Sequence, residues 1–160
     1  MLFARDLTGP LSSLLKQFDT AVDKNKEADM RSFAVFLTDD SDAMEKKIKE
    51  FAEKNKISEN VPLTIVEDTA GPLAFNVDKD AAVTVLLYTE GKVVSNFAFK
   101  AGEMKDKDVK AIVAQLSKIL PTEEDLKKQA EKKKQIEEIK KKLEAAREKE
   151  KKEEKKEEKK

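Results

Sequence analysis

Thr38, Asp39, Asp40, Ser41 and Asp42, in the stretch "FAVFLTDDSDAMEKK", put three carboxylates and two hydroxyls into five residues. Two kinds of chemistry suit such a group. Carboxylates, with Asp68 as a nearby addition, are hard oxygen ligands of the sort Mg²⁺ and Ca²⁺ take. A hydroxyl becomes a nucleophile when an adjacent base removes its proton. The composition works against both. The chain has no histidine and no cysteine, so the commonest general base near neutral pH and every thiolate nucleophile or ligand are missing. A base for Thr38, Ser41 or Thr84 would have to be a lysine or a carboxylate, and no Ser–Lys or nucleophile-elbow pattern occurs. The acidic stretch also lacks the glycine and the closing glutamate of an EF-hand loop. Only four glycines occur, and none is spaced to cradle a phosphate. No metal and no cofactor is expected, and the balance leans away from an enzyme. The plainer role for Asp40, Ser41 and Asp42 is to start a helix, with Asp42 and Glu45 at capping-box spacing. The stretch nevertheless closes a strand, the end at which open α/β sheets bind ligands. A low-level ligand site there is the one candidate the domain offers.

The elements that must position these residues are legible along residues 1–121. "MLFAR" is a short apolar start. Leu11, Leu14, Leu15, Phe18 and Val22 then recur at helical steps. "RSFAVFLT" holds a continuous apolar run from Phe33 to Leu37, suited to a strand covered on both faces. Met44, Ile48, Phe51 and Ala52 give the next helix its buried face. "VPLTIVED" is a third strand with Pro62 at its start, and "TAGPLAFNV" a short helical segment. "AAVTVLLYT" and "KVVSNFAFK" are two strands joined by a hairpin in which Gly91 supplies a positive φ. Val109, Ile112, Val113, Leu116, Ile119 and Leu120 predict a helix over 106–120. The order β-α-β-α-β-α-β-β-α predicts an α/β fold. It has a mixed sheet of four to five strands, parallel in its first half, with helices on both faces. Phe33, Phe36, Phe75, Tyr88, Phe97 and Phe99 fall on strand and segment positions and are expected in the core.

The order and several local sequences resemble the thioredoxin fold. "AAVTVLLYTEGKVVSNFAF" carries the likeness to its strand–hairpin–strand, with Gly91 in the turn and Gly102 before the last helix. "FARDLTGPLSSLLKQFD", "FAVFLTDD", "AGPLAFNV" and "VTVLLYTEGKV" resemble uncharacterised thioredoxin-like proteins, many of them secreted by bacteria. The resemblance implies a secreted or periplasmic bacterial origin, although the chain carries no signal-peptide pattern. It places the family's cysteine motif at Thr38–Ala43 and its cis-proline at Val83. Neither a cysteine nor a proline stands there, and disulfide exchange requires a thiolate. Thr38, Asp39, Asp40, Ser41, Asp42, Val83 and Thr84 are therefore ligand-binding candidates without a catalytic role. The resemblance implies a non-catalytic binding or structural module. One alternative is a fragment of a secreted thiol-redox protein whose cysteines lie upstream, and another is a metal-dependent site at 38–42.

Residues 122–160 are a different material. They hold 16 Lys/Arg against 13 Asp/Glu, while 1–121 hold 17 against 20. Neither part carries a strong field. The lysines alternate with glutamates and no aromatics, so nucleic acid is not an expected partner. No apolar run approaches 18 residues, so no membrane span is expected either. Pro121 ends one helix, and Thr122 with Asp125 has the spacing to open another. Glu137→Lys141, Glu138→Lys142 and Glu148→Lys152 pair at i,i+4 in the favourable order. "KKEEKKEEKK" instead sets Glu153 over Glu157 and Lys155 over Lys159, so fraying is expected toward the end. Ile136, Ile139, Leu143 and Ala146 form a stripe too short for a sustained coiled coil. A monomer is expected, with this stripe as the face for a protein partner.

Overall fold

Leu2, Phe3 and Ala4 are all buried, and together they make β1 (Leu2–Ala4), the middle strand of a five-stranded sheet. This computed structural model describes the backbone of residues 1–157 and, apart from 123, 129 and 145–157, their side chains. The chain divides into one compact unit, Met1–Leu120, and a second that begins at Pro121.

In the first unit β1 runs parallel to β2 (Ala34–Leu37), which runs parallel to β3 (Leu63–Val66). On its other side β1 pairs antiparallel with β4 (Val83–Thr89), and β4 with β5 (Lys92–Phe99). The sheet order is β3-β2-β1-β4-β5. This is the expected mixed α/β sheet flanked by helices.

The helices follow from local chemistry. The hydroxyl of Thr8 accepts from the amide of Leu11, Pro10 pre-sets the first turn, and α1 (Gly9–Lys24) buries Leu11, Leu14, Leu15, Phe18 and Val22. α2 (Ser41–Asn55) ends at Lys56 in the left-handed region, φ 54°. α3 (Asp106–Ala114) opens with the carboxylate of Asp108 accepting from the amide of Lys105, at 2.9 Å. The helix expected over 106–120 stops sooner. Its last turn tightens into a 3₁₀ segment, Gln115–Lys118, where the Ser117 hydroxyl donates to the carbonyl of Ala114.

The sheet's two faces are covered unequally, which corrects the expectation of helices on both. One face carries Leu2, Ala4, Phe36, Val83, Val85 and Leu87, packed with residues of α1, α2 and α3. The other carries Met1, Phe3, Val35, Leu37 and Leu86 with Val77, and among the described residues none of α1, α2 or α3 contributes to it. The cause is topological. The steps β1→β2 and β2→β3 go in the same direction across the sheet, and right-handed crossovers then place both helices on one side. A loop over 67–82, with a 3₁₀ turn at Leu73–Phe75, covers the second face instead. Gly71 lets it pass close to β2. Its φ is +78°, and a Cβ there would meet Cδ1 of Leu37 at 3.0 Å. The expected aromatic core is corrected with it. Phe36 is fully buried and Phe33, Phe97 and Phe99 half-buried, but Phe75 and Tyr88 are 44% and 41% exposed.

The β4–β5 connection is a two-residue turn with both residues left-handed, Glu90 at φ 51° and Gly91 at φ 75°. Glycine at the second position was legible; glutamate at the first is a strained choice. Replacing Glu90 with asparagine should raise stability by about 1 kcal/mol. A shifted urea midpoint at unchanged slope would register it.

The second unit is described by itself. α4 (Glu123–Glu157) is one helix of 35 residues, about 52 Å long at 1.5 Å per residue. Its start is the expected one. The amide of Thr122 donates to Oδ2 of Asp125 at 3.1 Å, and the amide of Asp125 donates to the Thr122 hydroxyl at 3.2 Å. Glu137 and Lys141 pair at 3.2 Å, and among the described residues no ion pair joins Glu138 to Lys142. The side chains that would make the pairs at 148/152, 153/157 and 155/159, and that of Ala146, lie outside those described.

Candidate functional site

The candidate site begins where β2 ends. The amide of Thr38 donates to the carbonyl of Val66, tying the strand end to β3. Its side chain turns back on the loop. Oγ1 of Thr38 accepts from the amide of Asp40 at 3.1 Å and donates to the carbonyl of Asp40 at 3.2 Å. Asp40 is the N-cap of α2, with Oδ1 accepting from the amide of Ala43 at 2.9 Å. The expected Asp42–Glu45 capping box is therefore not the device used. The helix starts two residues earlier, and Glu45 instead pairs with Lys49 at 2.6 Å.

Two of these polar groups are engaged by the backbone. The Thr38 hydroxyl is occupied by main chain, and the Asp40 carboxylate is occupied by a helix amide. Asp39 and Asp42 are exposed and Ser41 is half-buried in the first turn. Among the described residues no three His, Cys, Asp or Glu side chains converge to hold a metal ion.

Val83 and Thr84 are elsewhere. Val83 opens β4 opposite Ala4 of β1, and Ala4 in turn lies opposite Phe36 of β2. The 38–42 loop and Val83 are thus separated by two strand spacings, about 10 Å. The sequence grouped them as two halves of one site, and the sheet order keeps them apart. The strand-to-helix junction that does adjoin Val83 is Arg5–Pro10, between β1 and α1. There a hollow of about 210 Å³ is lined by Thr8, Pro10, Ala82, Val83, Lys100, Gly102, Met104 and Lys105. The peptide bonds around it are trans, as throughout the described chain. The helical stripe that follows "DLTGP", from Leu11, was readable. The neighbourhood of "DLTGP" with Val83 was not, because nothing local says that a three-residue strand sits at the centre of a sheet.

Thr84 is 4% exposed, and its hydroxyl has no hydrogen-bond partner among the described residues. No base bonds it, so nothing activates it as a nucleophile. Two further hollows, of about 260 and 440 Å³, flank the Asp29–Ser32 segment that leads into β2. The first is walled mostly by apolar side chains, among them Phe18, Leu86 and Leu116.

A residue missed by the sequence reading ties this part of the molecule together. Arg5 follows β1, and its guanidinium donates to three main-chain carbonyls of the covering loop. Nε reaches Thr69 at 3.0 Å, Nη1 reaches Asp78 at 3.0 Å, and Nη1 also reaches Ala81. A planar fork of donors suits this task. The only signal for it was a lone arginine at the end of an apolar strand.

On α4, Ile136, Ile139 and Leu143 are 54%, 60% and 51% exposed. The carboxyl of Asp125 at its start is held below the ordinary carboxylate range, first by the Thr122 hydroxyl and then by the Thr122 amide. A depressed carboxyl pKa stabilises the folded form above the unfolded value and stops doing so as pH falls through the folded one. The first turn of α4 should hence lose helicity on acidification from the ordinary carboxylate range downward. The Asp125 amide resonance followed by pH titration would report this, and Thr122→Ala should bring the carboxyl back toward its ordinary value.

Compared with models of known protein families, with curated proteins and with solved structures, the chain matches none.

Proposed function

We propose that residues 1–121 form a non-catalytic thioredoxin-like binding or structural module, and that 122–160 extend it as a charged helix engaging a protein partner. One observation carries the reading. The strand order β3-β2-β1-β4-β5, with parallel strands on one side of β1 and an antiparallel hairpin on the other, presents two strand-to-helix junctions at one end of the sheet. Both lack the chemistry of a dithiol site. At Arg5–Pro10 the residues are Arg, Asp, Leu, Thr, Gly and Pro, and at Thr38–Ala43 the polar groups serve turn and cap. Support for the helix as the binding element comes from its three half-exposed branched side chains on an otherwise charged surface.

Pure full-length chain assayed for insulin reduction and peroxide consumption should give no turnover above the buffer blank. Turnover that persists through purification and scales with protein concentration would sink the non-catalytic reading. By light scattering the chain should run at the mass of a monomer.

A further inference from the structure

The apolar stripe of α4 is bordered by one sign of charge. At about 100° of rotation per residue, Ile136, Ile139 and Leu143 fall within about 60° of arc. Lys132 falls inside that arc. Lys133 and Lys140 flank it on one side and Lys142 on the other, all within about 95° of its centre. Every glutamate between 131 and 144 lies farther round, at more than about 100°, and Glu137 is turned to pair with Lys141 on the back of the helix. Among the described residues none of these four lysines is in an ion pair.

This border decides what can cover the stripe. A second copy of the same face, parallel or antiparallel, would bring lysine against lysine with no glutamate in reach. Like charges beside a helical seam select against pairing. A lipid surface wants a broader apolar face, with tryptophan or phenylalanine, than three aliphatic side chains backed by glutamates. A helix with its own apolar stripe bordered by glutamate or aspartate satisfies both the stripe and the lysines. We propose that the Ile136–Ile139–Leu143 face binds an acidic amphipathic helix and rejects a second copy of itself. This rests on the reading of α4 as the partner-binding element and supplies the partner's chemistry.

The test titrates the full chain with a fluorescent three-heptad peptide carrying isoleucine and leucine on its seam and glutamate at the flanking positions. The same peptide with lysine at those positions, and phosphatidylserine vesicles, are run in parallel. The acidic peptide should bind at least about tenfold more tightly than the lysine peptide, with the difference shrinking as salt screens the charges. The triple change Lys133→Glu, Lys140→Glu and Lys142→Glu should invert the preference, and Ile139→Asp should abolish binding of both. Circular dichroism confirms that each variant keeps its helix. If both peptides bind equally and Ile139→Asp abolishes both, α4 remains the binding element and the proposed charge selection is wrong. If neither binds, or Ile139→Asp changes nothing, the reading of α4 as a binding element falls and the inference with it. A dimer that Ile139→Asp dissolves would overturn the proposal in favour of self-association. Binding to vesicles without binding to the acidic peptide would overturn it in favour of a membrane surface.

Discussion

Phe36→Ala should destabilise the first unit by about 3–5 kcal/mol, the range for truncating a fully buried phenylalanine. Phe36 has no exposed surface and sits in the middle of β2, opposite Ala4 on one side and Ile65 on the other. It belongs to the cluster that joins the sheet to α1, α2 and α3. Its neighbour on β1, Ala4, is the smallest apolar side chain available. A cavity at 36 therefore adjoins a position that cannot swell to fill it, and the strands on either side are held in register by main-chain bonds. The expected result is a large drop in the urea midpoint at unchanged slope. Leu73→Ser is the matched control. Leu73 is 95% exposed, and its replacement should move stability by less than about 0.5 kcal/mol. A loss below about 1.5 kcal/mol at Phe36 would mean that the site collapses around the gap, and the packing argument for β2 would fail.

The same residue shows how far periodicity reaches. Phe36 was identifiable as core because five consecutive apolar residues must be covered on both faces, and the α1 stripe from Leu11 to Val22 was equally plain. These are local signals, and local structure answered to them. What failed were inferences about neighbours. Nothing in "MLFAR" says that β1 lies between β2 and β4, yet that position separates Val83 from Thr38 and brings it to Thr8. The side on which helices lie depends on the direction of successive crossovers, which is set by strand order. Phe75 and Tyr88 were assigned to the core, but none of α1 to α3 packs on the second face, and both side chains stay partly exposed. The cap of α2 was narrowed only to three residues, because Asp40, Ser41 and Asp42 all have side chains able to accept from a helix amide. Geometry chose Asp40, whose preceding Thr38 turn aims it. The strands and helices that carry the candidate residues were legible; which of those residues stand together was not.

The covering loop gives the second large effect. Arg5→Ala should cost about 3 kcal/mol, a size set by losing several hydrogen bonds from a charged donor and leaving their carbonyl acceptors unpaired. The guanidinium ties Thr69, Asp78 and Ala81, residues far apart in the loop, to the end of the central strand. Beneath the loop lie Phe3, Val35, Leu37 and Leu86, and the ring of Phe75 stands 5.3 Å from that of Phe3. With none of α1 to α3 on this face, the loop's attachment decides whether those side chains stay dry. Arginine matters here for its shape as well as its charge. The Arg5→Lys change would leave a single compact ammonium, which cannot reproduce the fork that spans three acceptors, so it should recover less than half of the loss. Amide exchange separates this mechanism from general weakening. In Arg5→Ala, protection should fall first and most across 67–82, while amides of β1 and β2 follow only the global change. Uniform loss of protection, or a cost under about 1 kcal/mol, would mean that apolar contact alone holds the loop.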